Sequence, residues 1–199
     1  MPCRRPARDR ELVQIVDAAL NDASRRAGDW LVCRPGCTLC CVGAFTINAL
    51  DVARLRDGLA GLKRSDPDRA ERVLLRAKAY IERVARQFPG DPDSGILDES
   101  EHGQARFLDF ADEEVCPALD LESGTCDLYE FRPMTCRVFG PPVRNEGGGL
   151  GICELCFHGA SIEEIAACEM KPDPERLEES LLTELGDNGN TLVAFALAK

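Results

Sequence analysis

The sequence predicts a small, mostly α-helical α+β fold whose helices surround an irregular, cysteine-rich centre. Three observations carry that prediction. Segments with apolar residues at three- and four-residue steps flank the middle of the chain, the periodicity of helices with one apolar face. The middle, residues 33–156, has few long apolar runs but holds nine of the eleven cysteines. Such a section needs some other source of stability, and a thiolate-bound metal can supply it, on the order of 10 kcal/mol for structural zinc.

The 199 residues suit one domain, 1–199. Residues 1–8, with Arg4, Arg5 and Arg8, read as a flexible, solvated basic arm. Leu12, Ile15, Val16, Ala19, Leu20 and Ala23 then give one apolar face to a helix from about Asp9 to Ala27. Asn48 is expected to cap a second helix through "ALDVARLRDGLAGL". Ser65, with Pro67 just inside, is expected to open a third, "DPDRAERVLLRAKAYIERVARQF", which stops before Pro89. Residues 89–105 are polar and broken by Gly and Pro, which predicts a surface loop, and "RFLDFA" predicts a short strand. Residues 116–156 read as irregular. The C-terminal helical segment, 161–199, contains the acidic helices "SIEEIAACEM" and "PERLEESLLTELG" and a small apolar tail, "TLVAFALA".

Composition narrows the function classes. A 44% hydrophobic and 30% charged content is that of a soluble globular chain. The net charge of −11 argues against nucleic acid as a partner, because phosphate neutralisation needs clustered cations. No segment has the apolar length of a membrane span, and no apolar stretch follows the basic start, so a reducing cytoplasm is expected. The odd number of cysteines favours metal ligation over an all-disulfide framework. No catalytic residues are assigned. "NEGGGLG" lacks the Lys and Ser/Thr of a phosphate loop, and no metalloprotease helix or Ser–His–Asp order is visible. His158 reads as a capping or surface residue, His102 lies in the expected loop, and Glu163, Glu164, Glu175, Glu178, Glu179 and Glu184 form a solvated acidic face.

The candidate metal ligands are Cys33, Cys37, Cys40, Cys41, Cys116, Cys126, Cys136, Cys153 and Cys156; Cys3 and Cys168 read as packed bystanders. "CTLC" and "CELC" have the two-residue gap that lets one tight turn aim both sulfurs at one ion. The Cys40–Cys41 doublet is unusual for simple zinc, since neighbouring side chains diverge. Either one of the two is a bystander, or two metals or a multi-iron cluster lie within reach. Pro133 fits the start of a short helix placing Cys136 within its first turn or just after it. Arg34, Arg132 and Arg137 can balance thiolate charge, or Arg132 can form a salt bridge to Glu130 or Asp127. Tyr129, Phe131 and Phe139 are expected in the core.

"CRPGCTLCC", "CPALD" and "CDLYEFRPMTCRVFG" together resemble the YkgJ-type cysteine-cluster family of zinc- or iron-chelating domains. Cys126, Tyr129, Arg132, Pro133, Cys136, Arg137 and Phe139 carry the more specific part of the likeness, which covers roughly residues 33–156. The family opens with C-x2-C-x2-C-C, whereas three residues separate Cys33 from Cys37. The resemblance implies Cys37, Cys40, Cys41, Cys116, Cys126 and Cys136 as ligands, with either Cys153 or Cys156 as the last.

Soft thiolates select zinc, cuprous copper or iron–sulfur centres. The expected function is chelation of zinc or an iron–sulfur cluster, in a structural or metal-handling role, with the metal as partner. The same cluster occurs in proteins resembling flagellin lysine N-methylases, which implies an S-adenosylmethionine-dependent methylase as the alternative. A redox-active thiol protein is the third reading.

Overall fold

The computed structural model describes residues 5–145, 147–186 and 189–199; Cys3 and Arg4, assigned above to packing and to the arm, and Glu146 of "NEGGGLG" lie outside them. The strongest periodicities give the longest helices. Helix α1 occupies Asp9–Ala27 and buries Leu12, Val16, Ala23 and Ala27. Helix α2, Ala49–Ser65, has its predicted cap: the Asn48 side chain accepts from the Asp51 N–H at 3.1 Å. Helix α3, Pro67–Val84, is capped by Asp66, which accepts from the Arg69 N–H at 3.0 Å. Ser65, expected in that role, is instead the last residue of α2. Pro67 fixes the first helical position, and the cap must directly precede it.

Residues 89–105 are more ordered than a loop. Strand β1, Gly90–Asp91, pairs antiparallel with β2, Ile96–Leu97, and helix α4, Glu101–Phe107, follows. The Ser100 hydroxyl caps α4 by accepting from the Gly103 N–H at 3.2 Å, and this start signal carries "RF" into a helix rather than the expected strand. Two further hairpins pair β3, Leu119–Asp120, with β4, Thr125–Cys126, and β5, Val143–Arg144, with β6, Leu150–Gly151. Short helix α5, Met134–Val138, follows Pro133. Helix α6, Ile162–Ala167, starts with a reciprocal Ser161–Glu164 capping box; α7 spans Leu177–Leu185 and α8 Val193–Ala198. The fold is α+β and mostly helical, with short antiparallel strand pairs, as predicted.

The chain divides into two compact units. In the first, Pro35–Pro133 with Gly186–Lys199, helices α2, α3 and α8 pack together. The expected apolar tail is in fact central to this unit. Val193 to Leu197 are all buried, and a helix apolar on every side needs protein around it. Val193, Ala196 and Leu197 join Leu55, Leu59, Val73 and Ala77 in one apolar cluster. Phe195 packs on Phe88 with ring centroids 4.7 Å apart. In the second unit, Arg5–Arg34 with Met134–Leu185, α1 packs against α5 and α7. The buried Arg137 guanidinium meets the Asp17 carboxylate of α1 at 2.7 Å. No helix among the described residues is long and apolar enough to cross a membrane.

Candidate metal centre

In the first unit, backbone pairing gathers thiols from the 39–41 turn and from both arms of a hairpin more than seventy residues later. Cys40 and Cys41 lie on a 3₁₀ turn, Leu39–Cys41, closed by the Cys41 N–H donating to Thr38 at 2.8 Å. The chain then runs antiparallel to residues 114–116. Val42 bridges Val115, the Gly43 N–H donates to Glu114 at 2.9 Å, and the Cys116 N–H donates to Cys41 at 2.8 Å. The β3–β4 hairpin turns back, with Leu119 opposite Cys126 and the Leu119 N–H on the Cys116 carbonyl at 3.0 Å. Its turn at Gly124 lies beside Cys37: a Cβ there would stand 3.4 Å from Gly36 Cα and 3.9 Å from the Thr38 methyl.

The sulfur environments follow from this placement. The interaction between the adjacent thiols draws Cys40 down to about 6 and pushes Cys41 far up. Burial pushes Cys116 up to about 12, opposed by the N–H groups of Ala118 and Leu119 aimed at its sulfur. Burial likewise raises Cys126, opposed by the Leu128 N–H and by Arg132. Cys41 feels the charges of Cys40, Cys116 and Cys126, so the four share one electrostatic neighbourhood. Backbone N–H groups two and three residues beyond a cysteine favour its thiolate.

Arg132 is the nearby cation. It is 9% exposed, donates to the Tyr129 carbonyl at 2.9 Å, and lies 4.0 Å over the Tyr129 ring. Its charge favours ionised Cys40 and Cys126. The Asp127 carboxylate, one salt-bridge partner considered for Arg132, is taken at 2.5 Å by both Arg69 and Arg76. Tyr129 and Phe139, expected in the core, are 56% and 46% exposed. Helices α2, α3 and α8 supply the first unit's core, so burial of Tyr129 is not required there. Phe131 is half-buried and fits against Gly58 of α2, where a Cβ would fall 2.6 Å from the ring root.

The second unit holds Cys33, Cys136, Cys153, Cys156 and Cys168. "CELC" forms the expected tight turn, the Cys156 N–H donating to Cys153 at 2.9 Å, and both residues are buried. The Cys153 N–H donates to the Gly140 carbonyl at 3.4 Å, while a Cβ on Gly140 would be 3.0 Å from the Cys33 sulfur. The Phe157 N–H donates to Trp30 at 3.0 Å, tying this turn to the chain leading into Cys33. Cys136 lies on α5, and Cys168 is buried. Arg137 is engaged with Asp17, and Arg34 and His158 are exposed. His102 is exposed on α4 rather than in a loop.

Among the described residues no two cysteines form a disulfide, and no three His, Cys, Asp or Glu side chains stand ready-made around one ion. Three features of the first unit escaped the sequence reading: the Asp127 pairing, the Gly58–Phe131 fit and the N–H groups aimed at sulfur. Only the turn-forming "CPAL" and "CDL" segments hinted at the last.

No curated protein and no solved structure matches the chain. Residues 32–156 match the model of the CxxCxxCC family, described as "Putative zinc- or iron-chelating domain". The matched stretch is more than half of the chain and contains all nine cysteines that sequence reading put forward. The chain belongs to the CxxCxxCC family.

Proposed function

We propose that the protein chelates zinc or an iron–sulfur centre through the thiols of its first unit, chiefly to organise the loops that carry them or to handle the metal. One observation carries this reading: the 39–41 turn and the two arms of the β3–β4 hairpin bring Cys40, Cys41, Cys116 and Cys126 into one neighbourhood, with backbone N–H groups favouring ionised Cys40, Cys116 and Cys126 and Arg132 favouring ionised Cys40 and Cys126. The donors are all sulfur, which suits a thiophilic ion. Cys37, on the turn beside Gly124, is the next nearest candidate by backbone position. In the second unit, Cys33, Cys153 and Cys156, with Cys136 on α5, remain candidate ligands of the same chemistry. A bound metal supplies the cross-link between loops; the chain supplies thiolates, the hydrogen bonds that hold them and the cation beside them.

A cysteine-dense chain whose thiols serve a metal rather than disulfides suits a reducing, cytoplasmic setting, and the acidic balance favours a partner other than nucleic acid. The test is metal analysis of the full chain purified without oxygen, with absorption in the sulfur-to-iron charge-transfer region to separate iron–sulfur from zinc. Cys40→Ser, Cys116→Ser and Cys126→Ser should each lower the metal content, whereas Cys168→Ser should not. A folded chain with no zinc, iron or copper defeats the reading.

A further inference from the structure

We propose that Arg76 is a positioning residue for the thiol centre of the first unit, its single guanidinium fixing the spacing of the two loops that carry Cys116 and Cys126. The inference rests on the metal-binding reading above. Arg76 projects from α3. Its Nε donates to the carbonyl of Pro117 at 2.9 Å, and its Nη2 donates to the carboxylate of Asp127 at 2.5 Å. Each acceptor belongs to the residue directly after a candidate ligand. The Asp127 side chain is 2% exposed, and its other oxygen accepts from Arg69 Nε at 2.5 Å. A carboxylate that deeply buried depends on its cations, so the hairpin end beyond Cys126 is held to α3.

The guanidinium is planar and rigid, and it grips both acceptors at once. The Cys116 and Cys126 loops therefore cannot drift apart without breaking one of its two hydrogen bonds. Metal–sulfur bonds tolerate only a few tenths of an ångström, so loop spacing translates directly into affinity. Groups one step removed from metal ligands typically change affinity about 10- to 100-fold when altered. Arg69 differs in kind: its hydrogen bond runs from one nitrogen to Asp127, a task a lysine ammonium can take over.

Cobalt(II) titration of the metal-free full chain tests this, read by the sulfur-to-cobalt charge-transfer band and by competition with a chelator. The band scored is the one that Cys116→Ser abolishes, which excludes cobalt on other thiols. Arg76→Lys and Arg76→Ala should weaken cobalt binding about 10- to 100-fold and alter the band. Arg69→Lys should stay within about threefold of wild type. Melting of the metal-free Arg76→Lys chain should stay close to wild type, which a purely structural strut would not allow. Wild-type affinity and band in Arg76→Lys overturn the inference, as does equal weakening by Arg69→Lys. An Arg76→Lys chain that fails to fold assigns Arg76 to the fold and also overturns it. A wild-type chain that binds no cobalt overturns the inference, and the metal-binding reading falls with it only where the chain purified without oxygen also holds no zinc, iron or copper, so the two failures are distinguishable.

Discussion

Gly58→Ala sets helix propensity against packing, and the geometry decides the sign. Inside an exposed helix the change would stabilise by about 1 kcal/mol. In α2 the new Cβ would lie 2.6 Å from Cγ, 2.7 Å from Cβ and 2.8 Å from Cδ2 of Phe131. These are the root atoms of the side chain, which cannot swing aside as a flexible tip could. Overpacking of this kind costs about 1–3 kcal/mol, so the net change is a loss of roughly 0–2 kcal/mol. The two contributions separate in a double-mutant cycle. With Phe131→Ala already in place the clash is gone, and Gly58→Ala should become stabilising by about 1 kcal/mol, a coupling of about 1–3 kcal/mol. Urea unfolding of the metal-free chain, at constant slope, measures all four corners. Additivity within about 0.5 kcal/mol would refute the steric reasoning.

Other expectations follow from single contacts. At pH 7 Cys116, near 12, and the raised Cys41 and Cys126 are protonated, while Cys40, near 6, is largely ionised. Zinc capture by these four as thiolates should therefore release about three protons and tighten as pH rises. Calorimetry in buffers of different protonation enthalpy counts the protons, and zero release contradicts this ligand set. Asp66→Ala should cost about 1 kcal/mol by uncapping α3, and Ser65→Ala much less; equal losses in urea unfolding would contradict the cap assignment. Phe195→Ala, at a position 2% exposed, should cost about 3–5 kcal/mol by the same measurement, and a loss under about 1 kcal/mol would show the terminal helix to be dispensable.

Legibility in the sequence followed how local each signal was. Helix α1 could be read because Leu12 and Val16 repeat on one face, and α2 because Asn48 stands where a cap must stand. Ser65 misled by being a good cap residue one position too early. "TLVAFALA" carried no one-sided periodicity because every face of it is covered, and that burial comes from α2 and α3, distant in sequence. The thiols themselves were visible, since four of them fall within the nine residues 33–41. Their grouping was not visible. Which cysteines share a unit depends on the Val42–Val115 bridge, between segments 73 residues apart, and on the Phe157–Trp30 hydrogen bond, which ties the "CELC" turn to the chain leading into Cys33. The Asp127 carboxylate looked like a partner for Arg132 because Arg132 is near in sequence; the arginines that hold it come from α3, more than fifty residues away.

The sequence predicts metal as the source of stability for residues 33–156, and the packing divides that role. Residues 49–84 of the stretch form α2 and α3, whose buried Leu55, Leu59, Val73 and Ala77 close on α8. That core needs no sulfur, although Cys116 and Cys126 rest against it. Chelation should thus leave the helices standing, unlike small zinc domains that unfold without their ion. What it should loosen is the seam of hydrogen bonds at Gly43, Cys116, Leu119 and Asp127, which join thiol-bearing loops to one another. Hydrogen exchange resolves the two behaviours: those four amides should lose protection on metal removal, while amides of α2, α3 and α8 keep theirs. Collapse of helical circular dichroism on chelation would mean the apolar cluster cannot hold alone, and that the metal is part of the core rather than a clasp upon it.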